Sequence, residues 1–150
     1  MLSTSFIRRR SLLWAWLSIS LLACSLTQTQ AKELAPRDVV LRWIGVYGKD
    51  MAQAAPLTTL RYRKGRTAQQ WAEATQQTLS QLGYQHLGGK VVKETIQGTQ
   101  AIVTLSARIN TKLGVIQQTE TYTLLLEGQQ WLIDRLVISD EVLPKEKISS

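Results

Sequence analysis

Apolar residues recur every three or four positions through the first half of this chain and every second position through the rest. Val40, Trp43, Ile44, Tyr47 and Met51 keep the helical spacing, which predicts an amphipathic helix over 37 to about 48, with Pro36 suited to its first turn. Gly48-Lys49-Asp50 interrupts it, and Met51 to Ala55 forms one further short helix stopped by Pro56. Thr67-Ala68-Gln69-Gln70 is a capping-box pattern, in which the threonine hydroxyl takes an orphan amide and the glutamine reaches back. It opens a helix over 68–82 with Ala68, Trp71, Thr75, Leu79 and Leu82 on one face and Gly83 as its stop. Beyond Gly83 the period falls to two. Strands are predicted over 91–97, 100–109, 115–126 and 131–139, joined by turns at Gln97-Gly98-Thr99 and Glu127-Gly128-Gln129-Gln130. Ala101, Val103, Leu105, Ala107 and Ile109 share one face of the second strand. Leu136 and Ile138 fall out of register with Trp131 and Ile133, which predicts a bulge near Asp134-Arg135.

Helices first and a meander of long antiparallel strands afterwards make an α+β fold. The N-terminal helices pack in a strongly curved antiparallel sheet of about four strands. The sheet is expected to curl around the long helix to bury Trp71, Leu79 and Leu82, giving a cone with room for a cavity at its open end.

The segment ahead of the first helix reads differently. Arg8-Arg9-Arg10 precede an uncharged apolar run from Ser11 to Ala23, the layout of a secretory signal. The run is too short to span a bilayer comfortably, which takes ~20 apolar residues. Leu21-Leu22-Ala23-Cys24 at its end resembles the lipobox of bacterial lipoproteins, with Leu22 bulkier than the small residue usual there. That resemblance implies a lipid on Cys24 and, with uncharged Ser25 beside it, outer-membrane sorting in a Gram-negative cell. The competing site, Thr29-Gln30-Ala31, would discard Cys24 and release a soluble secreted or periplasmic protein. The expected organisation is a signal peptide over 1–23, a polar tether over 24–35, one domain over 36–140 and a tail over 141–150.

Removing 1–23 takes three arginines and lowers the formal charge from +7 to +4, so the pI overstates the basicity of the mature chain. No nucleic-acid partner is expected from so slight a basic footprint on an exported protein. One cysteine permits no internal disulfide, and one histidine with one cysteine gives no zinc-ligand set. No metal and no cofactor are expected.

VVLRWIGVYGKD at 39–50 with its trailing MAQAA, a second long helix, and four strands ending in YTLLLEGQQWLIDRLVI at 122–138 together resemble the nuclear-transport-factor-2-like (NTF2-like) superfamily, over about 36–140. The resemblance implies a cone-shaped α+β fold. Within the superfamily the chain looks like small secreted or lipid-anchored bacterial domains of unknown role. Its enzymes work by acid-base chemistry inside the cone, and others are dimeric adaptors or cell-envelope accessory domains. Fold does not choose among these.

The residues offer few catalytic groups. His86 follows the long helix, where an exposed loop position is expected and the edge of the cone is the alternative. Asp134 falls on the last strand at the predicted bulge, with Arg135 adjacent and Arg108 able to pair across the sheet. Tyr47, Tyr62, Tyr84 and Tyr122 read as core or rim residues. The densest positive run of the mature chain is LRYRKGR at 60–66, where Arg61, Arg63, Lys64 and Arg66 would attract phosphate or carboxylate. Three functions are therefore expected in order. The first is a non-enzymatic envelope lipoprotein acting as a binding or accessory module toward an anionic envelope component. The second is a small-molecule binder or acid-base enzyme using His86 and Asp134. The third is an adaptor that forms a homodimer through its sheet.

Overall fold

The computed structural model describes residues 33–139. Cys24, the leader, most of the tether and the tail lie outside them. The elements run α1 (Pro36–Val46), α2 (Met51–Ala54), a 3-10 turn (Ala55–Leu57), α3 (Ala68–Leu82), β1 (Gln85–Gln97), β2 (Gln100–Thr111), β3 (Gly114–Glu127) and β4 (Gln130–Ser139). The four strands form one antiparallel sheet in the order β1-β2-β3-β4.

Local chemistry sets the helix ends. α1 opens with Pro36 in its first turn and buries Val39, Val40, Trp43 and Ile44. The Asp50 carboxylate accepts the Gln53 amide at 3.1 Å and starts α2. The capping box of α3 is complete: Gln70 N–H donates to Thr67 Oγ1 and Thr67 N–H to Gln70 Oε1, each at 3.2 Å. Gly83 closes α3 at φ 61°, a left-handed conformation that glycine adopts without penalty. Its N–H caps α3 carbonyls, and Tyr84 N–H reaches back to the Leu79 carbonyl.

α1 is the helix that lies against the sheet, touching β1, β2 and β4, while the main contacts of α3 are with α2 and the 3-10 turn. The sheet therefore curls around α1 rather than around α3 as expected from the sequence. Trp71, Ala72 and Leu79 of α3 are buried, but Leu82 is 55 % exposed. It occupies the last turn, just where Gly83 reverses the chain into β1.

Inward side chains follow from the register. Successive rows across β1, β2, β3 and β4 read Ile96-Ala101-Leu124-Ile133, Glu94-Val103-Tyr122-Leu136 and Val91-Leu105-Glu120-Ile138. Two further rows are Gly89-Ala107-Gln118 and His86-Ile109-Ile116. Ala101, Val103, Leu105, Ala107 and Ile109 are all buried, as their alternation requires. A bulge at Asp134 shifts β4 against β3 where the sequence places it. β1 begins at Gln85, six residues earlier than expected, so His86 lies in a strand and not in a loop. Bulges at Leu87 and Val92 and the pair Gly88-Gly89 erase the period of two that would have marked it.

Candidate functional site

The inward face of the sheet carries one polar cluster inside an otherwise apolar core. β3 contributes Gln118, Glu120 and Tyr122 at alternate positions, and β1 contributes His86. All four are buried. Gly89 and Ala107, both small, lie in the row between those of His86 and Glu120. The His86 Nε2 lies 3.4 Å from Glu120 Oε2. Tyr122 OH donates to the same oxygen at 2.5 Å, and Gln118 Nε2 donates to Oε1 at 2.7 Å. Gly88 N–H donates to His86 Nδ1 at 3.0 Å, so the ring proton sits on Nε2 and faces the carboxylate.

Burial by itself would raise the Glu120 carboxyl, but the hydrogen bonds from His86, Tyr122 and Gln118 outweigh it and hold it below the ordinary value. The carboxylate is therefore ionised at neutral pH with three donors around it. Burial, together with the negative charge of Glu120, raises Tyr47, Tyr84 and Tyr122, so these phenols stay protonated. Every buried side-chain nitrogen and oxygen among the described residues has a hydrogen-bond partner. The cluster is a network whose members bond one another.

Aromatic rings fill the space beside it. Trp43 stacks on Tyr47, with centroids 4.5 Å apart, and on Trp71 at 6.0 Å. Tyr62 meets Trp43 and Trp71 edge-on at 5.7 and 5.8 Å, and Tyr84 meets Tyr47 edge-on at 5.6 Å. Trp43 is 1 % exposed, so the middle of the cone is plugged. Trp131 only packs against the edge of this core.

His86 and Asp134 do not come together. Asp134 bulges from β4 toward the segment after the 3-10 turn, where Thr59 Oγ1 donates to Oδ1 at 2.8 Å and Arg61 Nε at 3.0 Å. Arg61 Nη2 pairs with Oδ2. These bonds, that from Arg61 first, hold the Asp134 carboxyl below its usual range. The partner is Arg61, not Arg108 as the sequence suggested. Thr59 N–H also donates to the Ile133 carbonyl at 2.9 Å, so the basic loop is stitched to β4.

Two of the four cations of that loop thus have structural partners. Arg63 Nη1 donates to the Ala55 carbonyl at 3.1 Å and to Thr58 Oγ1 at 3.0 Å, closing off the end of the 3-10 turn. Lys64, at φ 55°, and Arg66 remain exposed at the loop tip. On the helical side a groove of about 580 Å³ runs between α2 and α3, floored by Met51, Ala55 and Ala72 and rimmed by Lys49, Asp50 and Glu73. Among the described residues no cluster of three His, Cys, Asp or Glu stands ready for a metal, and no helix is long and apolar enough to cross a membrane.

Sequence reasoning missed Glu120. The signal was in phase: extending the inward set Tyr122, Leu124 backward by twos reaches Glu120 and Gln118. The alternating threonines Thr119, Thr121 and Thr123 occupy the other face.

No family model and no curated protein matches the sequence. Solved structures are. Bd1075 of Bdellovibrio bacteriovorus superposes with a TM-score of 0.50 at 14% identity over 70% of this chain, which spans only 39% of that protein. An NTF2-like protein of unknown function from Cytophaga hutchinsonii matches with a TM-score of 0.44 at 14% identity, over 73% of this chain and 94% of that one. The intermembrane space region of the chloroplast protein ARC6 matches with a TM-score of 0.45 at 21% identity, over 71% of this chain and 97% of that region. At such identities the likeness concerns the fold alone: three helices and an open four-stranded antiparallel sheet in an α+β arrangement.

Proposed function

We propose that this chain is a non-enzymatic cell-envelope lipoprotein, held at the membrane by a lipid on Cys24, whose NTF2-like domain acts as a binding or accessory module. The observation that carries the reading is the filled cone. A binding or catalytic cavity needs polar groups converging on open space. Here Trp43, Trp71 and Tyr62 occupy the middle, and the polar groups of the inner face bond one another. Function then falls to the outer surface, and the apolar run ending in Leu-Leu-Ala-Cys supplies the anchor. Two or more acyl chains hold a protein firmly, whereas one is marginal. Expressed in a bacterial host, the chain partitions with membranes and incorporates labelled fatty acid, and Cys24→Ala abolishes the label. Unlabelled wild-type protein beginning at Lys32 overturns this reading.

A second reading has one observation behind it. An ionised carboxylate, a histidine and a phenol in mutual contact are the parts of an acid-base site, so Glu120 replaces Asp134 as the partner of His86 in a cone that opens to admit a small molecule. Soaking with aromatic and steroid-like probes and following His86 ring resonances by NMR tests it; unmoved resonances across the panel reject it.

A further inference from the structure

Outward rows of the sheet gather cations that lie far apart in the sequence. They read Gln97-Gln100-Leu125-Leu132, Thr95-Ile102-Thr123-Arg135, Lys93-Thr104-Thr121-Val137, Lys90-Ser106-Thr119-Ser139 and Gly88-Arg108-Gln117. Lys90, Lys93, Arg108 and Arg135 are all exposed, and no residue in the five rows is acidic. The ion pairs of the described residues, Arg37–Glu94, Arg61–Asp134 and His86–Glu120, use none of the four. With strands ~4.8 Å apart, the patch is about 14 Å wide from β1 to β4. Exposed Ile102 and Val137 lie among the cations, and the rest of the face is threonine, serine, glutamine and glycine, with half-buried Leu125 and Leu132 in the row at one end.

This face suits a plane of negative charge. A two-fold copy would set the same four cations against themselves, since such an interface is built from one patch used twice. The loop at 61–66, denser in sequence, has already engaged Arg61 and Arg63. Eleven residues separate Cys24 from α1, a reach of at most about 40 Å, so a domain anchored through Cys24 stays near the bilayer and a weak attraction suffices to orient it.

We propose that the outward face of β1–β4 docks on the anionic phospholipid surface of the bilayer, through Lys90, Lys93, Arg108 and Arg135. The tether argument rests on the lipoprotein reading; the charge of the face does not. The test uses the chain from Ser25 onward, which retains every residue of the core and carries no lipid, so its outcome is separate from that of acylation at Cys24. Co-sedimentation is measured with phosphatidylglycerol-containing vesicles and with pure phosphatidylcholine vesicles. The expected result is binding to the anionic vesicles alone, fading between about 0.01 M and 0.15 M salt as the Debye length falls from ~30 to ~8 Å. Each of Lys90→Gln, Lys93→Gln, Arg108→Gln and Arg135→Gln lowers partitioning about fivefold at low salt, and the four together remove it. Lys64→Gln with Arg66→Gln leaves most of it. If the fourfold variant melts early, the single variants carry the test. Equal binding to neutral vesicles overturns the proposal. So does loss on changing the loop pair but not the sheet residues, or a wild-type dimer that the sheet variants abolish.

Discussion

Replacing Glu120 by alanine takes one acceptor away from three buried donors: His86 Nε2–H, Tyr122 OH and Gln118 Nε2–H. A buried donor without a partner costs about 1–3 kcal/mol. The variant no longer buries a charge, and a water entering the vacated space recovers part of the loss. The net expectation is about 3–5 kcal/mol, the three donor penalties less what the entering water and the removed charge recover. Glu120→Gln should cost only about 1 kcal/mol, because one acceptor oxygen stays and the Gln118 amide can turn to present its own oxygen. The two substitutions also differ in their pH dependence. The folded Glu120 carboxyl lies below its unfolded value, so its contribution is complete above that unfolded value, near 4.3, and is lost as pH falls through the folded value. Asp134 adds an acid slope of the same sign, so the informative quantity is the difference between wild type and Glu120→Gln. Urea unfolding of the chain from Ser25, followed by tryptophan fluorescence from neutral pH to about pH 3, measures both. An alanine variant within about 0.5 kcal/mol of wild type, or acid limbs that superimpose for wild type and Glu120→Gln, would refute the description of this cluster as an ionised, mutually satisfied network.

Two other substitutions probe the packing. Trp71→Ala removes a buried ring stacked on Trp43 and should cost about 3–5 kcal/mol; an unchanged melting temperature would mean that α3 presents another face. Gly89→Ala places a methyl 2.8 Å from Leu105 Cδ2 and 2.9 Å from the Ser106 carbonyl, and should cost about 1–3 kcal/mol by overpacking. Full stability in that variant would show that β1 and β2 separate more easily than the register implies.

For the ends of α3 and for the alternation of β2, spacing along the chain was sufficient. Thr67, Gln70 and Gly83 bound α3 at the residues the capping pattern names, because caps are satisfied by neighbours three or four residues away. β2 and its inward face follow from strict alternation, and the bulge at Asp134 from a lapse in it. The helix-then-meander order was enough for an α+β cone. Bulges hid the start of β1, since two extra residues shift the phase that alternation reads.

Tertiary structure decided which charges are free. Arg61 stands in a cationic run by sequence, yet its partner Asp134 lies 73 positions away, and Arg63 closes the end of a 3-10 turn. Glu120 looks like an ordinary strand carboxylate until His86, 34 positions earlier, arrives from β1. Lys90, Lys93, Arg108 and Arg135 come onto one face only through the pairing of all four strands. The reason is common to all three. Coulombic and hydrogen-bond energies depend on distance in space, and a sheet with 10- to 14-residue strands brings together residues that no local pattern links.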